Sequence, residues 1–244
     1  MVKLVLFDLG STLIYFDAEW PEVLAQAIDM MVNRLSQAGY PLDTTSFAAD
    51  FHQRIREYYR QRDAEFIEYT TEYVLRSLLV SYGFRHTPTE RLRPALDALY
   101  AVTQAYWKVE QDAHPTLAQL KSTGYRLGMI SNAGDAADVQ TLIDTASLRP
   151  YFDQILISAA IGIRKPHPRI FELALDFFQV RPSESVMVGD TLGADILGAN
   201  HIGMRSIWIT RRAGTPDNRD HLDTIQPTAA VSTLSEIPAL LASW

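Results

Sequence analysis

The sequence predicts an α/β protein in which a parallel sheet flanked by helices is interrupted by an all-helical insertion. Three observations indicate this fold class. An apolar strand near the amino terminus ends at a carboxylate, Asp8. Helical periodicity then continues from about residue 18 to residue 107, without a clear strand. After about residue 110 strands and helices alternate, as they do in βαβ units of a parallel sheet.

The composition is that of a globular chain with a negative net charge. The 244 residues are 47% hydrophobic and 21% charged, and the formal net charge is −7 at pH 7. This balance argues against a nucleic-acid partner, which needs a basic face. The absence of cysteine excludes disulfides, thiolate metal sites and cysteine nucleophiles. Because we find neither a signal-peptide pattern nor an apolar run of membrane-spanning length, we expect a cytoplasmic protein with no membrane partner.

The first strand leads directly into a polar segment. Residues 4–13 read Leu-Val-Leu-Phe-Asp-Leu-Gly-Ser-Thr-Leu, so Asp8 is followed by Gly10, Ser11 and Thr12. Open α/β sheets form their ligand crevice at the carboxyl edge of such buried strands. We therefore interpret Asp8 as a functional carboxylate rather than as a turn or helix-capping residue.

The all-helical insertion is predicted to form a domain of its own. Its helices are predicted at Trp20–Ala38, Phe47–Arg62, Glu65–Tyr82 and Thr89–Trp107. Gly39 and Gly83 stand where helix ends belong. We accordingly predict a helical domain over residues 16–109 and a core domain formed by residues 1–15 and 110–244.

The second half of the chain supplies the remaining strands of the core. They are predicted at Arg126–Ser131, Gln154–Ser158, Ser185–Gly189 and Arg205–Thr210. The helices between them are predicted at Thr116–Thr123, Asp135–Ala146, Pro168–Phe178 and Ala194–His201. A last strand and a short helix are expected within Thr228–Trp244. Together with the first strand they predict a Rossmann-like core.

Two polar segments follow later strands. Ser131 and Asn132 end one strand, where free amides and a hydroxyl suit phosphoryl oxygens, although Ser-Asn is also an ordinary turn. Lys165 precedes Pro166 and an amphipathic helix. Lys165 is a candidate site residue, and the alternative interpretation is a solvent-exposed basic turn with a proline at the start of the helix. We interpret the neighbouring Arg164 as solvated.

A pair of carboxylates follows the strand Ser185–Gly189. Asp190 lies at the strand end, and Asp195 lies about one helical turn further on, so both can reach one ion. Oxygen ligands without His or Cys suit Mg²⁺. Helix capping is the alternative for either residue alone.

These four segments resemble the motifs of the haloacid dehalogenase-like superfamily, in its phosphatase-like branch with a helical cap after the first strand. The resemblance covers the whole chain. It implies an aspartyl-phosphate on Asp8, with Lys165 and Ser131 as further catalytic residues. The Mg²⁺ ligands that it implies are Asp8, the Gly10 carbonyl, Asp190 and Asp195. The substrate-binding residues that it implies are Gly10, Ser11, Thr12 and Asn132. The implied partner is a small phosphorylated molecule, bound by a monomer or homodimer.

One position departs from the family pattern. The first motif usually carries a second Asp, a general acid/base, where this chain has Gly10. Such proton transfer typically contributes about 10²–10⁴-fold to the rate. Another group could replace it, and the candidates are Asp17, Tyr15 and His52. Alternatively, the leaving group needs little protonation, or turnover is slow. We expect a phosphatase of modest activity.

Three other functions compete with this interpretation. The first is a metal-independent 2-haloacid dehalogenase. These enzymes also lack the second Asp, and Arg34 of this chain could hold the halide. They do not have the pair of carboxylates that this chain carries at Asp190 and Asp195. A phosphonatase needs a cap lysine, and residues 11–107 contain none. A non-catalytic phospho-ligand binder on the same fold has only Gly10 in its favour.

The segment Phe51–Arg62 of the insertion is rich in arginine and aromatic residues. An arginine there could contact an anionic substrate group. We favour a helix that buries its apolar residues and leaves its arginines solvated.

Overall fold

The structure, a computed structural model, describes residues 1–244. It contains eight strands: β1 (Leu4–Phe7), β2 (Ile14–Phe16), β3 (Trp107–Val109), β4 (Arg126–Ser131), β5 (Gln154–Ile157), β6 (Ser185–Gly189), β7 (Arg205–Ile209) and β8 (Ala229–Val231). Six of them form one parallel sheet in the order β5-β4-β1-β6-β7-β8. The predicted α/β class with a Rossmann-like core is confirmed.

Strand β1 lies in the centre of this sheet, between β4 and β6. Leu4 is opposite Arg126 on one side and Ser185 on the other. All four residues of β1 are buried, as expected of a parallel strand covered on both faces. The Asp8 amide continues the ladder by donating to the Val188 carbonyl at 2.9 Å. The carboxylate of Asp8 therefore emerges at the carboxyl edge, where the chain crosses from one half of the sheet to the other.

Helices cover both faces of the sheet. The eleven α-helices are α1 (Trp20–Gln37), α2 (Thr44–Glu65), α3 (Thr71–Ser81), α4 (Thr89–Gln104), α5 (Ala113–Ser122), α6 (Ala136–Thr145), α7 (Ser158–Ile161), α8 (Pro168–Phe178), α9 (Leu197–His201), α10 (Pro216–Arg219) and α11 (Ile237–Ala242). Helices α5, α6 and α11 pack on the face that contains Phe7, and α8 and α9 pack on the face that contains Leu6. None of the helices has the length and apolarity needed to cross a membrane.

Helices α1–α4, here called the helical insert (residues 20–104), have a hydrophobic core of their own. Seventeen buried residues form it, all between Ala27 and Leu99. Ala27, Ile28, Met31 and Leu35 recur at helical spacing on one face of α1, which packs along α4. The insert therefore buries its apolar faces within itself.

One predicted helix of the insert begins later than expected. The predicted helix Glu65–Tyr82 begins at Thr71, and α2 runs on to Glu65 instead. Phe66 ends α2 in the left-handed conformation, and Ile67 forms an antiparallel bridge with Ile163. The pairing with a distant part of the chain keeps this segment out of a helix, and local periodicity does not report such pairing.

Strands β2 and β3 were not predicted. They pair antiparallel, with Phe16 opposite Trp107, so the two chain segments that enter and leave the helical insert lie side by side. The predicted helix Thr89–Trp107 accordingly ends at Gln104. Three-residue strands are too short to show alternation, and their pairing joins residues far apart in the sequence.

Candidate active site

Most of the predicted site residues meet in one cavity between the carboxyl edge of the sheet and the helical insert. The cavity has a volume of about 740 Å³. The predicted residues that line it are Asp8, Gly10, Ser11, Ser131, Asn132, Lys165, Asp190 and Asp195. Thr12 is buried outside the lining, and its hydroxyl has no hydrogen-bond partner. The structure thus brings all the predicted residues together except Thr12.

Lys165 lies at the centre of the site and is 2% exposed. Its Nζ atom donates to Asp8 Oδ1 at 2.6 Å, to Asp195 Oδ1 at 2.7 Å and to the Ile130 carbonyl at 2.7 Å. These contacts use all three donors of an ammonium group. Burial opposes the charge, but Asp195 and Asp8 outweigh it and raise the pKa of Lys165. The lysine is therefore a fixed positive charge rather than a solvated turn residue.

The Asn132 side chain holds the backbone of Lys165. Its Oδ1 accepts from the Lys165 amide at 2.9 Å, and its Nδ2 donates to the Lys165 carbonyl at 2.9 Å. Both ends of the amide are therefore occupied by protein. Although Asn132 lines the cavity as expected, these contacts serve to position Lys165.

Three carboxylates cluster around this lysine. Oxygens of Asp8, Asp190 and Asp195 all lie within 4.8 Å of one another, and the three residues are buried. Burial raises the pKa of Asp8 to about 6 despite the opposing effect of Lys165. Burial, reinforced by Asp8 and Asp195, also raises the pKa of Asp190 well above its usual range. One ammonium does not balance three carboxylates, so the donor set fits a hard divalent cation.

Gly189 allows Asp195 to lie against the end of β6. A Cβ atom on this glycine would be 2.2 Å from the Asp195 carboxyl carbon, so Asp195 could not keep its position beside a larger residue. The Asp195 Oδ2 atom also accepts from the Thr191 amide at 3.0 Å. Gly189 therefore leaves the space that the Asp195 carboxylate needs to join the cluster.

Asn218 supports the site and was not predicted from the sequence. It is 1% exposed, and its Nδ2 donates to the carbonyls of Asp190 at 2.8 Å and Ala213 at 3.0 Å. Its Oδ1 accepts from the Leu192 amide at 2.7 Å. The residue lies in a polar stretch with no motif, so only the folded contacts reveal it.

The space around Gly10 does not demand a glycine. A Cβ atom there would lie 3.6 Å from the Trp107 ring, an ordinary contact distance. None of the three suggested replacements for the missing carboxylate lines the cavity. One of them, Tyr15, is covered by the guanidinium of Arg212, 3.8 Å from its ring centre.

Two arginines line the cavity, contrary to the expectation that both are solvated. Arg62 comes from the helical insert, and Arg164 directly precedes Lys165. Arg164 Nη1 lies 2.9 Å from Asp63 Oδ1, and its Nε lies 3.7 Å from the buried Glu68 carboxylate. Arg34, the suggested halide ligand, is exposed and does not line the cavity.

The arrangement places three buried carboxylates and a buried ammonium at one sheet edge. The family model for haloacid dehalogenase-like hydrolases matches residues 2–203. The glyceraldehyde 3-phosphate phosphatase of Pyrococcus furiosus is 30% identical over 207 residues, which are 85% of this chain and 80% of that protein.

Two solved structures have the same overall architecture. A HAD phosphatase from Thermococcus onnurineus has a TM-score of 0.65 at 25% identity, over 98% of both chains. A 2-haloacid dehalogenase from Pseudomonas syringae pv. Tomato has a TM-score of 0.69 at 26% identity, over the whole of both chains. The chain belongs to the haloacid dehalogenase-like hydrolases.

Proposed function

We propose that this hydrolase is a Mg²⁺-dependent phosphatase of small phosphorylated metabolites. The observation that carries the proposal is the cluster of Asp8, Asp190 and Asp195 around Lys165. The Pyrococcus furiosus relative, named a phosphatase of glyceraldehyde 3-phosphate, supports a phosphoric monoester as the substrate class. The cavity of about 740 Å³ is of the size that holds a small metabolite.

In this proposal Asp8 is the nucleophile. A carboxylate oxygen of Asp8 attacks phosphorus, and the bond from phosphorus to the ester oxygen breaks, which leaves an aspartyl-phosphate. Water then attacks the same phosphorus and releases phosphate and the free carboxylate. Lys165, the Ser131 hydroxyl and the amides beside Gly10 and Ser11 stabilise the charge on the phosphoryl oxygens. Mg²⁺, held by Asp8, the Gly10 carbonyl and Asp190 with support from Asp195, would add to that stabilisation.

The helical insert would act as a cap over this chemistry. We place the cap at residues 16–109 and the core at residues 1–15 and 110–244. The separate hydrophobic core of the insert supports this division, as does the position of the cavity between insert and sheet. Action in the cytoplasm as a monomer or homodimer belongs to the same proposal.

A 2-haloacid dehalogenase is the second candidate. Two observations favour it: Gly10 lacks the usual carboxylate, and the Pseudomonas syringae dehalogenase shares the fold at 26% identity. Against it stand the Asp190 and Asp195 carboxylates, which a metal-independent reaction does not need.

Phosphate release from a panel of phosphate monoesters, with and without Mg²⁺, tests the proposal. We expect Mg²⁺-dependent turnover that the Asp8→Asn variant abolishes. Halide release from 2-chloropropionate without Mg²⁺ would instead establish the dehalogenase. Trapping of beryllofluoride with Mg²⁺, but no turnover of any ester, would indicate a binding protein.

A further inference from the structure

The proposed phosphatase reaction needs a proton for the leaving alkoxide, and Gly10 cannot supply one. Several acid–base groups outside the carboxylate cluster line the cavity: Asp63, Asp138, Asp217, Asp220 and His221. Asp63 is held by Arg164 at 2.9 Å. Asp217 and Asp220 are exposed. This leaves Asp138 and His221 as the groups to compare.

Asp138 lies where the core meets the helical insert. It is in the first turn of α6, which begins shortly after the Ser131 loop, and it is only partly exposed. Its Oδ1 accepts a hydrogen bond from the Gln104 side chain at 2.8 Å. Gln104 is the last residue of α4, three residues before Trp107. A side chain at position 10 would project toward the Trp107 ring, because a Cβ atom on Gly10 would lie 3.6 Å from that ring.

One short segment, Gln104–Trp107, therefore contacts Asp138 at one end and faces the position of the missing carboxylate at the other. We infer that Asp138 is the general acid and base of this enzyme, in place of a carboxylate at position 10. The inference rests on the proposed phosphatase function.

The surroundings of Asp138 suit proton transfer near neutral pH. Burial raises the pKa of Asp138 to about 7, with a further contribution from Asp135 and opposing contributions from Gln104 and Arg93. Asp135 itself is paired with Arg93 at 2.7 Å, and the half-buried Tyr100 of the insert lies near both carboxylates. A group that is half protonated near pH 7 can both give and take a proton.

The two half-reactions then balance. As the bond from phosphorus to the ester oxygen breaks, the protonated Asp138 carboxyl gives its proton to the leaving oxygen, and an alcohol departs. The Asp138 carboxylate then removes a proton from the water that attacks the aspartyl-phosphate. Phosphate and the Asp8 carboxylate are released, and Asp138 is protonated again.

His221 is the competing candidate. Its ring atoms lie 3.3 Å from the position that a Cβ on Gly193 would take, beside the loop that carries Asp190. It has no contact with the segment Gln104–Trp107 in the hydrogen-bond network. Its observed neighbour is therefore the Asp190 loop rather than the segment Gln104–Trp107.

The decisive variant is Asp138→Asn, because an asparagine oxygen still accepts the hydrogen bond from Gln104 but carries no transferable proton. Hydrolysis of glycerol 3-phosphate, an alkyl ester, is compared with hydrolysis of 4-nitrophenyl phosphate, whose leaving group needs no proton. We expect the variant to lose about 10²-fold or more in kcat on the alkyl ester. With the aryl ester we expect the initial burst of 4-nitrophenol, which reports phosphorylation of Asp8, to slow by about threefold at most, because that step needs no acid. The later release of phosphate should slow with both esters, because the base for the attacking water is missing.

Three companion variants complete the experiment. Asp144→Asn, exposed on the same helix, is expected to behave as wild type. Gly10→Asp in the Asp138→Asn background is expected to restore hydrolysis of the alkyl ester. His221→Asn is expected to affect both esters alike.

An equal slowing of the phosphorylation step with both esters in Asp138→Asn, measured by rapid-quench release of the alcohol or phenol, overturns the inference, as does unchanged activity on the alkyl ester. An ester-dependent loss in His221→Asn instead of Asp138→Asn also overturns it. Wild-type protein that turns over neither ester overturns the proposed function and this inference together, so the two failures are distinguishable.

Discussion

Asn218 donates a hydrogen bond of 2.8 Å to the backbone carbonyl of Asp190, although 28 residues separate them in the sequence. Trp208 Nε1 donates to the same carbonyl at 2.8 Å. Two side chains from later in the sequence thus fix the backbone of Asp190. The carboxylate is left free to point into the cavity.

The Asn218→Ala variant is expected to lower the free energy of unfolding by about 1–3 kcal/mol, because the Leu192 amide and the Ala213 carbonyl lose their side-chain partner. The Asp190 carbonyl keeps only its bond from Trp208. It should also weaken Mg²⁺ binding, since the Asp190 loop loses a support. Urea denaturation and a calorimetric Mg²⁺ titration measure the two effects. Asn33→Ala, exposed on α1, is the matched control and should change neither. A stable variant with unchanged Mg²⁺ affinity would contradict this view of Asn218.

Lys165→Met is expected to separate catalysis from cation binding. Loss of one preorganised positive donor should lower phosphatase kcat by about 10²–10³-fold. Mg²⁺ should bind at least as tightly as to wild type, because a positive charge that contacts Asp8 and Asp195 has been removed. Lys108→Met, at an exposed lysine, serves as the control. Weaker Mg²⁺ binding in Lys165→Met would show that the lysine shapes the cation site instead of competing with it.

Gly189→Ala is expected to displace Asp195, since the added methyl group would lie 2.2 Å from its carboxyl carbon. Overpacking of this kind typically costs about 1–3 kcal/mol of stability. We expect thermal denaturation to show that loss and the activity assay to show little turnover. Gly214→Ala, where no atom lies within 4 Å of the added carbon, should leave both unchanged. An active Gly189→Ala enzyme would mean that Asp195 is dispensable.

Asp138→Asn is expected to change how stability depends on pH. Folding raises the pKa of Asp138 from 3.8 to about 7, chiefly by burial, so the folded protein binds the additional proton between these values. This carboxyl therefore disfavours the folded state increasingly as pH rises through that window. The variant cannot ionise, so its stability relative to wild type should increase between pH 5 and pH 8. Urea denaturation at both pH values, with Asp144→Asn as control, measures the difference. A constant difference would argue that Asp138 ionises normally.

The sheet and the main positions of the candidate site could be predicted because their signals are local. Each buried strand is an apolar run that ends in a polar residue, and parallel strands bring such ends to one edge. Asp8, Ser131 and Asp190 are predictable for that reason, and the β4 and β6 bounds are identical to those predicted. The bend at Phe66 and the pairing of β2 with β3 depend on distant partners, and no local pattern reports them.

Side-chain roles that depend on neighbours distant in the sequence could not be predicted either. Arg164 reads as one more basic residue in a loop, yet the fold places it against Asp63 and Glu68 on the cavity wall. Asn132 reads as a phosphate-binding residue, yet both ends of its side chain are taken by Lys165. Asp138 carries no motif in the sequence and lies in the first turn of a helix that Asp135 caps. Only the packing of α4 against α6 gives Asp138 its environment.

The pairing of Phe16 with Trp107 means that ninety residues of chain leave and rejoin the sheet-bearing half of the molecule through a single gap, one strand spacing wide. A tight turn of a few residues would span that gap. Replacement of residues 17–106 by such a turn would therefore leave every strand of the large sheet with its present neighbours. In topological terms, the helical insert is a long loop between two neighbouring points of a continuous domain.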